Sequence, residues 1–438
     1  MAKKPKLALI PSGYKVNKVY SVLPSDGVGD FNFSRSGTAT RVNKQGLIET
    51  VSSNVPRLNY PLIDGVVSGC PSLLLEPART NLLTYSEDFS DASWGKSNVS
   101  VTANSEISPS GDLTADTLTK SSTGVDGTVT KVVSSTSTGY VGSIFIKKDT
   151  NTSRFPEFFL RSSVASGENE IYVQLNTSTG ETAIRLQFGT ASASTPVLIN
   201  GYWRISLYTL ANTDIRFGIR PSASNTLGTF DANATGSIVV WGAQLEQGSY
   251  PTSYIPTNGS TVTRSAETCN GAGNASTFND SEGVLFAEIA YLNPTTLSNL
   301  RIAISDGTSS NRILIQNVSS NPNRLQFYVI SNGGTSTDFY TNLSDITSFN
   351  KIAFKYKEND FSVWINGIKV LTDISGSTFS DGTLNEFSFD GGDGLFDWYG
   401  KTKQIQYFDT ALTDSDLETL TSWTSFSDMA EGQLYTIE

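Results

Sequence analysis

The segment GYWRISLYTL alternates Trp203, Ile205 and Leu207 with Arg204, Ser206 and Tyr208, the period of two that sends successive side chains to opposite faces of a strand. DIRFGIRPS repeats it, with Ile215, Phe217 and Ile219 set against Arg216 and Arg220. Both read as half-buried strands. NEIYVQLNTSTGETAIRLQF reads as two strands around an Asn-Thr-Ser-Thr-Gly turn, and GSIVVWGAQLE as a further one. From Asn81 to Thr263 such strands recur with no helical period between them, which predicts a sandwich or jelly roll.

A second strand series lies beyond residue 281: GVLFAEIAYL, LRIAISDG, NRILIQN, RLQFYVISNG and NKIAFKYKENDFSVWINGIKVLTD. In the last, Ile352, Phe354 and Tyr356 form one face, as do Phe361, Val363 and Ile365, with Trp364 opposite. Asn366-Gly367 supplies the two positive-φ residues of a tight hairpin. The confident helix is DSDLETLTSW, with Thr413 as cap, Asp414 and Asp416 in the first turn, and Leu417 and Leu420 facing inward. Residues 264–281 are rich in Gly, Asn, Ser and Thr and read as a linker. The first 80 residues carry short apolar clusters cut by Pro and Gly, from LALIPSG to CPSLLLEPARTN. They predict an extended region that lies on the next domain or on a partner assembly. The expected organisation is all-β: an extended N-terminal docking region (1–80), a jelly roll (81–263), a linker (264–281), a second β-sandwich (282–424) and a tail (425–438).

Composition narrows the chemistry. The 438 residues carry 31 basic and 42 acidic side chains, a net charge of −11, and no histidine. The acidic balance argues against a nucleic-acid partner. The absence of histidine removes Ser-His-Asp, Cys-His and HExxH chemistry. No phosphate-binding glycine loop is present, and no apolar run is long enough to insert in a membrane. The start, MAKKPKLALIPSG, has too short an apolar core for a signal peptide, so a chain made in the cytoplasm and kept soluble is expected. Cys70 and Cys269 are read as two buried thiols rather than a bridge.

Three stretches in order, FNFSRSGTATRVNKQGLIETV, PSLLLEPARTNLLTYSEDFSDASWGKSNVSVT and VVWGAQLEQGSYPTSYIPTNGSTVTRSAE, closely resemble a module of tailed-phage and prophage structural proteins that is similar to carbohydrate-binding jelly rolls. FSVWINGIKV and GKTKQIQYFDTALTDSDLETLTSW resemble a laminin-G or concanavalin A-like lectin sandwich. The resemblance implies a virion protein, a fibre, appendage or head decoration, whose partners are other virion proteins in head, neck or tail, with host cell-surface glycans as candidate ligands. A homotrimer is an arrangement open to a fibre, although no heptads enforce one. In the phage module the WGAQLEQG…PTSYIPT stretch closes the jelly roll. This places Trp241 in the core and Tyr254 with Ile255 in the packed exit loop, against sugar stacking as the alternative.

Sugar recognition needs flat aromatic faces beside planar polar groups. The candidates are Trp94, Tyr202, Tyr208, Arg216 and Arg220 in the first sandwich, and Trp364, Trp398 and Tyr399 in the second. SFDGGDGLFDWYG also clusters Asp390, Asp393 and Asp397, a candidate calcium loop without the EF-hand spacing, so calcium is the one cofactor considered. An enzyme is not expected. The acidic pattern Glu-x-Asp-x-x-Glu of sandwich glucanases is missing, and Asp414, Asp416 and Glu418 are explained by helix capping. A glycan depolymerase and a decoration without ligand remain the alternatives.

Overall fold

The computed structural model describes residues 4–134, 136, 138–162, 169–211, 214–293 and 299–423; the tail 425–438 lies outside them. The architecture is all-β, with antiparallel sheets packed face to face and the short helix Asp414–Ser422. In the first sandwich, one sheet has six strands in the order Gly95–Ser97, Thr128–Ser134, Asp214–Ser224, Phe155–Ser162, Glu170–Leu175 and Thr182–Phe188. The facing sheet runs Ser100–Ile107, Leu113–Lys120, Gly236–Gln247, Thr138–Lys147 and Tyr202–Ala211, with the short strands Ala191–Ala193 and Val197–Ile199 on the last. Ile205, Leu207, Ile215, Phe217 and Ile219 are buried between the sheets, as the alternation requires.

The second sandwich is assembled from distant parts of the chain. Its larger sheet runs Ile368–Asp373, Phe361–Ile365, Asn350–Lys357, Glu282–Tyr291 and Gly400–Phe408, and then continues into the N-terminal region. Ser72–Leu75 pairs with one half of Gly400–Phe408 (Leu73 opposite Thr402) and Leu7–Leu9 with the other (Leu7 opposite Tyr407). Without them that strand would leave a row of backbone N–H and C=O groups unpaired. Leu7, Leu9, Phe31, Phe33, Leu73 and Leu75 share one core with Leu285, Phe354 and Tyr407. The first 80 residues therefore complete the last sandwich and also lie on the first, where Ile48 packs with Phe145, Trp241 and Tyr254 and the Thr40 hydroxyl donates to Tyr254 O.

Residues 264–281 do not form a loose linker. Val262–Arg264 pairs with Arg79–Asn81, and Thr268–Asn270 pairs with Phe31–Ser34. Asp280 accepts from the backbone N–H groups of Gly382, Thr383 and Leu384. Arg264, Glu267, Thr277 and Asp280 are buried here and hydrogen-bonded, while Asn274, Ser276 and Ser281 stay exposed, a division that composition alone does not reveal. Cys269 is buried in this segment, whereas Cys70 is exposed; both are free, so only one of the two thiols is buried.

The hairpin and the helix form as the sequence predicts. Asn366 and Gly367 take φ of 50° and 85° between paired Ile365 and Ile368. Thr413 and Asp416 close a reciprocal capping box. The helix lays Leu417 and Leu420 over the outer face of the large sheet, against Phe286 and Trp364.

A fully buried group of charges holds the two sandwiches together. Arg57 Nη1 lies 2.7 Å from Glu76 Oε2, and Arg57 Nε lies 2.8 Å from Glu267 Oε1. Arg35 reaches Glu267 at 2.8 Å and Arg264 reaches Glu76 at 3.0 Å. Glu246 accepts from Gln244 Nε2 at 2.7 Å and from the Thr252 backbone at 3.0 Å. Burial disfavours the Glu76 carboxylate, but Arg264 and Arg57 outweigh it and hold this carboxyl well below the usual range. Removing one member strands the others in a site closed to water. Arg57→Met is expected to destabilise the chain by about 3–5 kcal/mol, read from urea unfolding midpoints. A loss below ~1 kcal/mol would show the group to be dispensable.

Candidate functional site

The outer face of the six-stranded sheet carries the strongest candidate site. Phe159 and Tyr172 stand opposite each other on neighbouring strands, with rings stacked at 4.8 Å and 18°. Phe159 lies flat over Gly218, where a Cβ would come within 2.0 Å of its ring. Above this floor lie two guanidinium groups. Arg220 sits 4.8 Å from the Phe159 centroid, and Arg185 4.8 Å from that of Tyr172. Both are also 5.4 Å from the ring of Phe230, which is 44% exposed.

Fully buried Glu157 organises the pair, accepting from Arg185 Nε at 2.5 Å and from Arg220 Nη1 at 2.5 Å. Asp126 takes Arg220 Nε at 2.9 Å and Nη2 at 2.8 Å. Burial alone would lower the Arg220 pKa, but Asp126 and Glu157 raise it overall, so its charge is secure. The loop bearing Phe230 is tied down by buried Gln174, which donates to Thr229 O and accepts from Gly228 N. The result is a preorganised surface in which the exposed Phe230 ring and the outer edges of two carboxylate-fixed guanidinium groups cover a buried aromatic floor, an apolar ring beside polar groups of the kind that recognises sugars.

Of the residues named from sequence, only two arginines lie on this face. Arg220 belongs to it, and Arg216 is exposed nearby, opposite Arg161. Trp94 is core, packed on Phe89 and Phe217 and donating to Tyr85 O. Tyr202 and Tyr208 stand on the other sheet. Tyr202 is buried and donates to Ile107 O, while Tyr208 is half-buried over Gly139. Burial removes Trp94 and Tyr202 from any ligand. Trp241 and Tyr254 are buried, 4.4 Å apart, and Ile255 beside them is buried too, so that loop is packing as expected. Phe159, Tyr172, Arg185, Glu157 and Phe230 were not singled out. Phe159 sits with a single glutamate in the otherwise apolar run FPEFFL, which reads as core.

In the second sandwich Trp364 lies beneath the helix and Trp398 is core, 4.4 Å from Tyr291. Tyr399 is half-buried and donates to Asp397. The three aspartates do not converge on a calcium site. Asp390 accepts from Asn270 Nδ2 at 2.7 Å and Gly392 N at 2.6 Å, Asp393 pairs with Arg312, and Asp397 with Tyr399. Among the described residues no group of three or more His, Cys, Asp or Glu is placed to hold a metal ion.

No family model matches the chain, and no curated protein is similar to it. Among solved structures it is similar to the CBM40 of Ruminococcus gnavus IT-sialidase bound to α2,3 sialyllactose, at 14% identity over 34% of this chain and 87% of that one, with a TM-score of 0.29. Domain 4 of AbnA, a GH43 extracellular arabinanase from Geobacillus stearothermophilus in complex with arabinotriose, matches at 13% identity over 40% and 83%, with a TM-score of 0.28. Sheep galectin-11 in complex with glycerol matches at 9% over 30% and 86%, with a TM-score of 0.18. Likenesses this remote carry neither site nor ligand over to this chain.

Burial, with Asp397 nearby, pushes the Asp390 carboxyl up to about 6. The folded chain thus keeps a proton that the unfolded chain releases near pH 4, and the stability this contributes is lost as pH rises through 6. Relative to Asp390→Asn, the wild-type chain is expected to lose on the order of 2–3 kcal/mol between pH 4 and 7, measured by urea unfolding at each pH. Calcium and chelator are expected to leave its melting temperature unchanged, and a rise with calcium would restore the metal loop.

Proposed function

We propose that the chain is a structural protein of a tailed-phage particle that binds host surface glycans through the outer face of its first sandwich. The observation that carries the glycan reading is the Arg185–Arg220 pair. It is held by buried Glu157 between the Phe159–Tyr172 floor and exposed Phe230. Such a surface is assembled before ligand arrives, so little ordering opposes binding. The particle reading rests on the three motifs, which resemble the phage module in order. Many of their residues, including Arg35, Glu76, Glu246, Arg264 and Glu267, build the buried charge group. A site of this size is weak singly and effective in many copies on one particle.

The test is retention of the full-length chain on host polysaccharide, with the supernatant assayed for reducing ends. Retention without release is expected. Phe230→Ala, at an exposed position, is expected to weaken retention about tenfold, the equivalent of ~1.4 kcal/mol. Release of reducing ends would favour a depolymerase. Absence of retention would favour a decoration without ligand, and absence of the chain from purified particles by mass spectrometry would remove the virion reading.

A further inference from the structure

A second cavity, remote in chemistry from the arginine–aromatic face, opens where three parts of the chain meet. Its volume is about 520 Å³, within the range of small-molecule sites. One wall is N-terminal, with Thr40, Asn59 and Tyr60. Another comes from the seven-stranded sheet and its exit loop, with Arg204 and Thr252, and the third from the second sandwich, with Tyr291 and Lys401.

Charge accounting around this cavity leaves a surplus. In the adjoining buried group Arg35, Arg57 and Arg264 match Glu76, Glu246 and Glu267 one for one. Glu76 is the one carboxylate lining the cavity, and Arg57 and Arg264 already hold it. Arg41, also on the wall, is spent on Glu49 at 2.6 Å. Arg204 makes no ion pair among the described residues, and Glu246 and Glu76 at longer range offset only part of the burial that lowers its pKa. Its Nη2 donates to Ser143 Oγ at 3.0 Å and Thr252 O at 2.7 Å, and its Nε is buried without a partner. Among the described residues Lys401 makes no side-chain ion pair or hydrogen bond, and Glu76 acts on it only at longer range. Its side chain is exposed at the mouth of the cleft; desolvation of its ammonium lowers its pKa, and the Glu76 carboxylate acts against that shift.

The third observation is a stranded hydroxyl. Tyr291 is 3% exposed, lines the cavity, and its Oη has no hydrogen-bond partner. A buried hydroxyl without a partner costs about 1–3 kcal/mol, a cost that a ligand oxygen would relieve. Two cations outside any ion pair and a buried hydroxyl without a partner, all lining one open cleft, are the complement of an anionic oxygen group.

We propose that this cleft is a binding site for a small ligand bearing a carboxylate or phosphate, of monosaccharide to disaccharide size. Lys401 and Arg204 supply the countercharge and Tyr291 a hydrogen bond. Any neutral hydroxyls of the ligand would face Thr40, Asn59 and Tyr60. The site does not depend on the glycan reading of the other face.

Titration calorimetry of the full-length chain with glucuronate, glucose 6-phosphate and glucose tests it. At least one anion is expected to bind at millimolar concentration or below, with glucose about tenfold or more weaker. Comparing the two anions tells carboxylate from phosphate. Tyr291→Phe and Lys401→Gln remove no hydrogen bond of the folded chain, so their urea midpoints are expected to stay near wild type. Each is expected to weaken the anion about fivefold or more. Phe230→Ala is expected to leave this binding unchanged while reducing polysaccharide retention, so the two sites fail separately. The proposal is overturned if neither anion binds at ~10 mM, if glucose binds as well as both anions, or if both variants bind like the wild-type chain.

Discussion

The structure depends on the burial of Arg57 between Glu76 and Glu267. Three ionised groups out of water are tolerable only when every charge and lone pair has a partner. Those partners come from Arg35, Ser253 and Arg264, which lie far apart in the chain. Meeting that condition fixes the N-terminal region, the end of the first sandwich and the segment that follows it in one arrangement. The pairing of Leu7–Leu9 and Ser72–Leu75 with Gly400–Phe408 follows from the same placement, since these strands flank the charge group in the chain. A seam of this kind contributes more to specificity of assembly than to net stability.

That rigidity bears on function. A seam with shared strands and a shared core gives the sandwiches no free joint, so a surface on the first keeps a set direction relative to the second. On the particle proposed above, this would give the arginine–aromatic face the same direction in every copy, and multivalent contact gains most when sites are held in register. The same seam forms the cleft proposed to take an anion, with Arg204 and Lys401 on its walls.

Much of the fold was legible in the sequence. The alternation of Ile215, Phe217 and Ile219, the Asn366-Gly367 turn and the Thr413 cap each rest on local geometry, and each formed as read. Pairings between residues about 330 apart leave no local period, so Leu73 opposite Thr402 was invisible. The polar segment around Glu267 was read as a linker because composition cannot tell a solvated polar residue from a satisfied buried one. Of the candidate site only Arg220, with Arg216 beside it, was found. Trp94, Trp364 and Trp398 were named for their chemistry, but large rings are most often placed by burial. Phe159 and Tyr172 were hidden because each is a single ring among Glu157, Arg161, Glu170 and Gln174 on its strand's outer face, and the arginines that cover them come from other strands.

Amide hydrogen exchange of the full-length chain, with and without host polysaccharide, tests the central claim most directly: one rigid body presenting one glycan-binding face. The account expects residues 72–75 and 262–270 to exchange as slowly as the sandwich cores in both conditions. Polysaccharide should add protection at the 226–232 loop and the neighbouring strand Glu170–Leu175. Fast exchange through 262–270, or added protection confined to the opposite sheet, would contradict it.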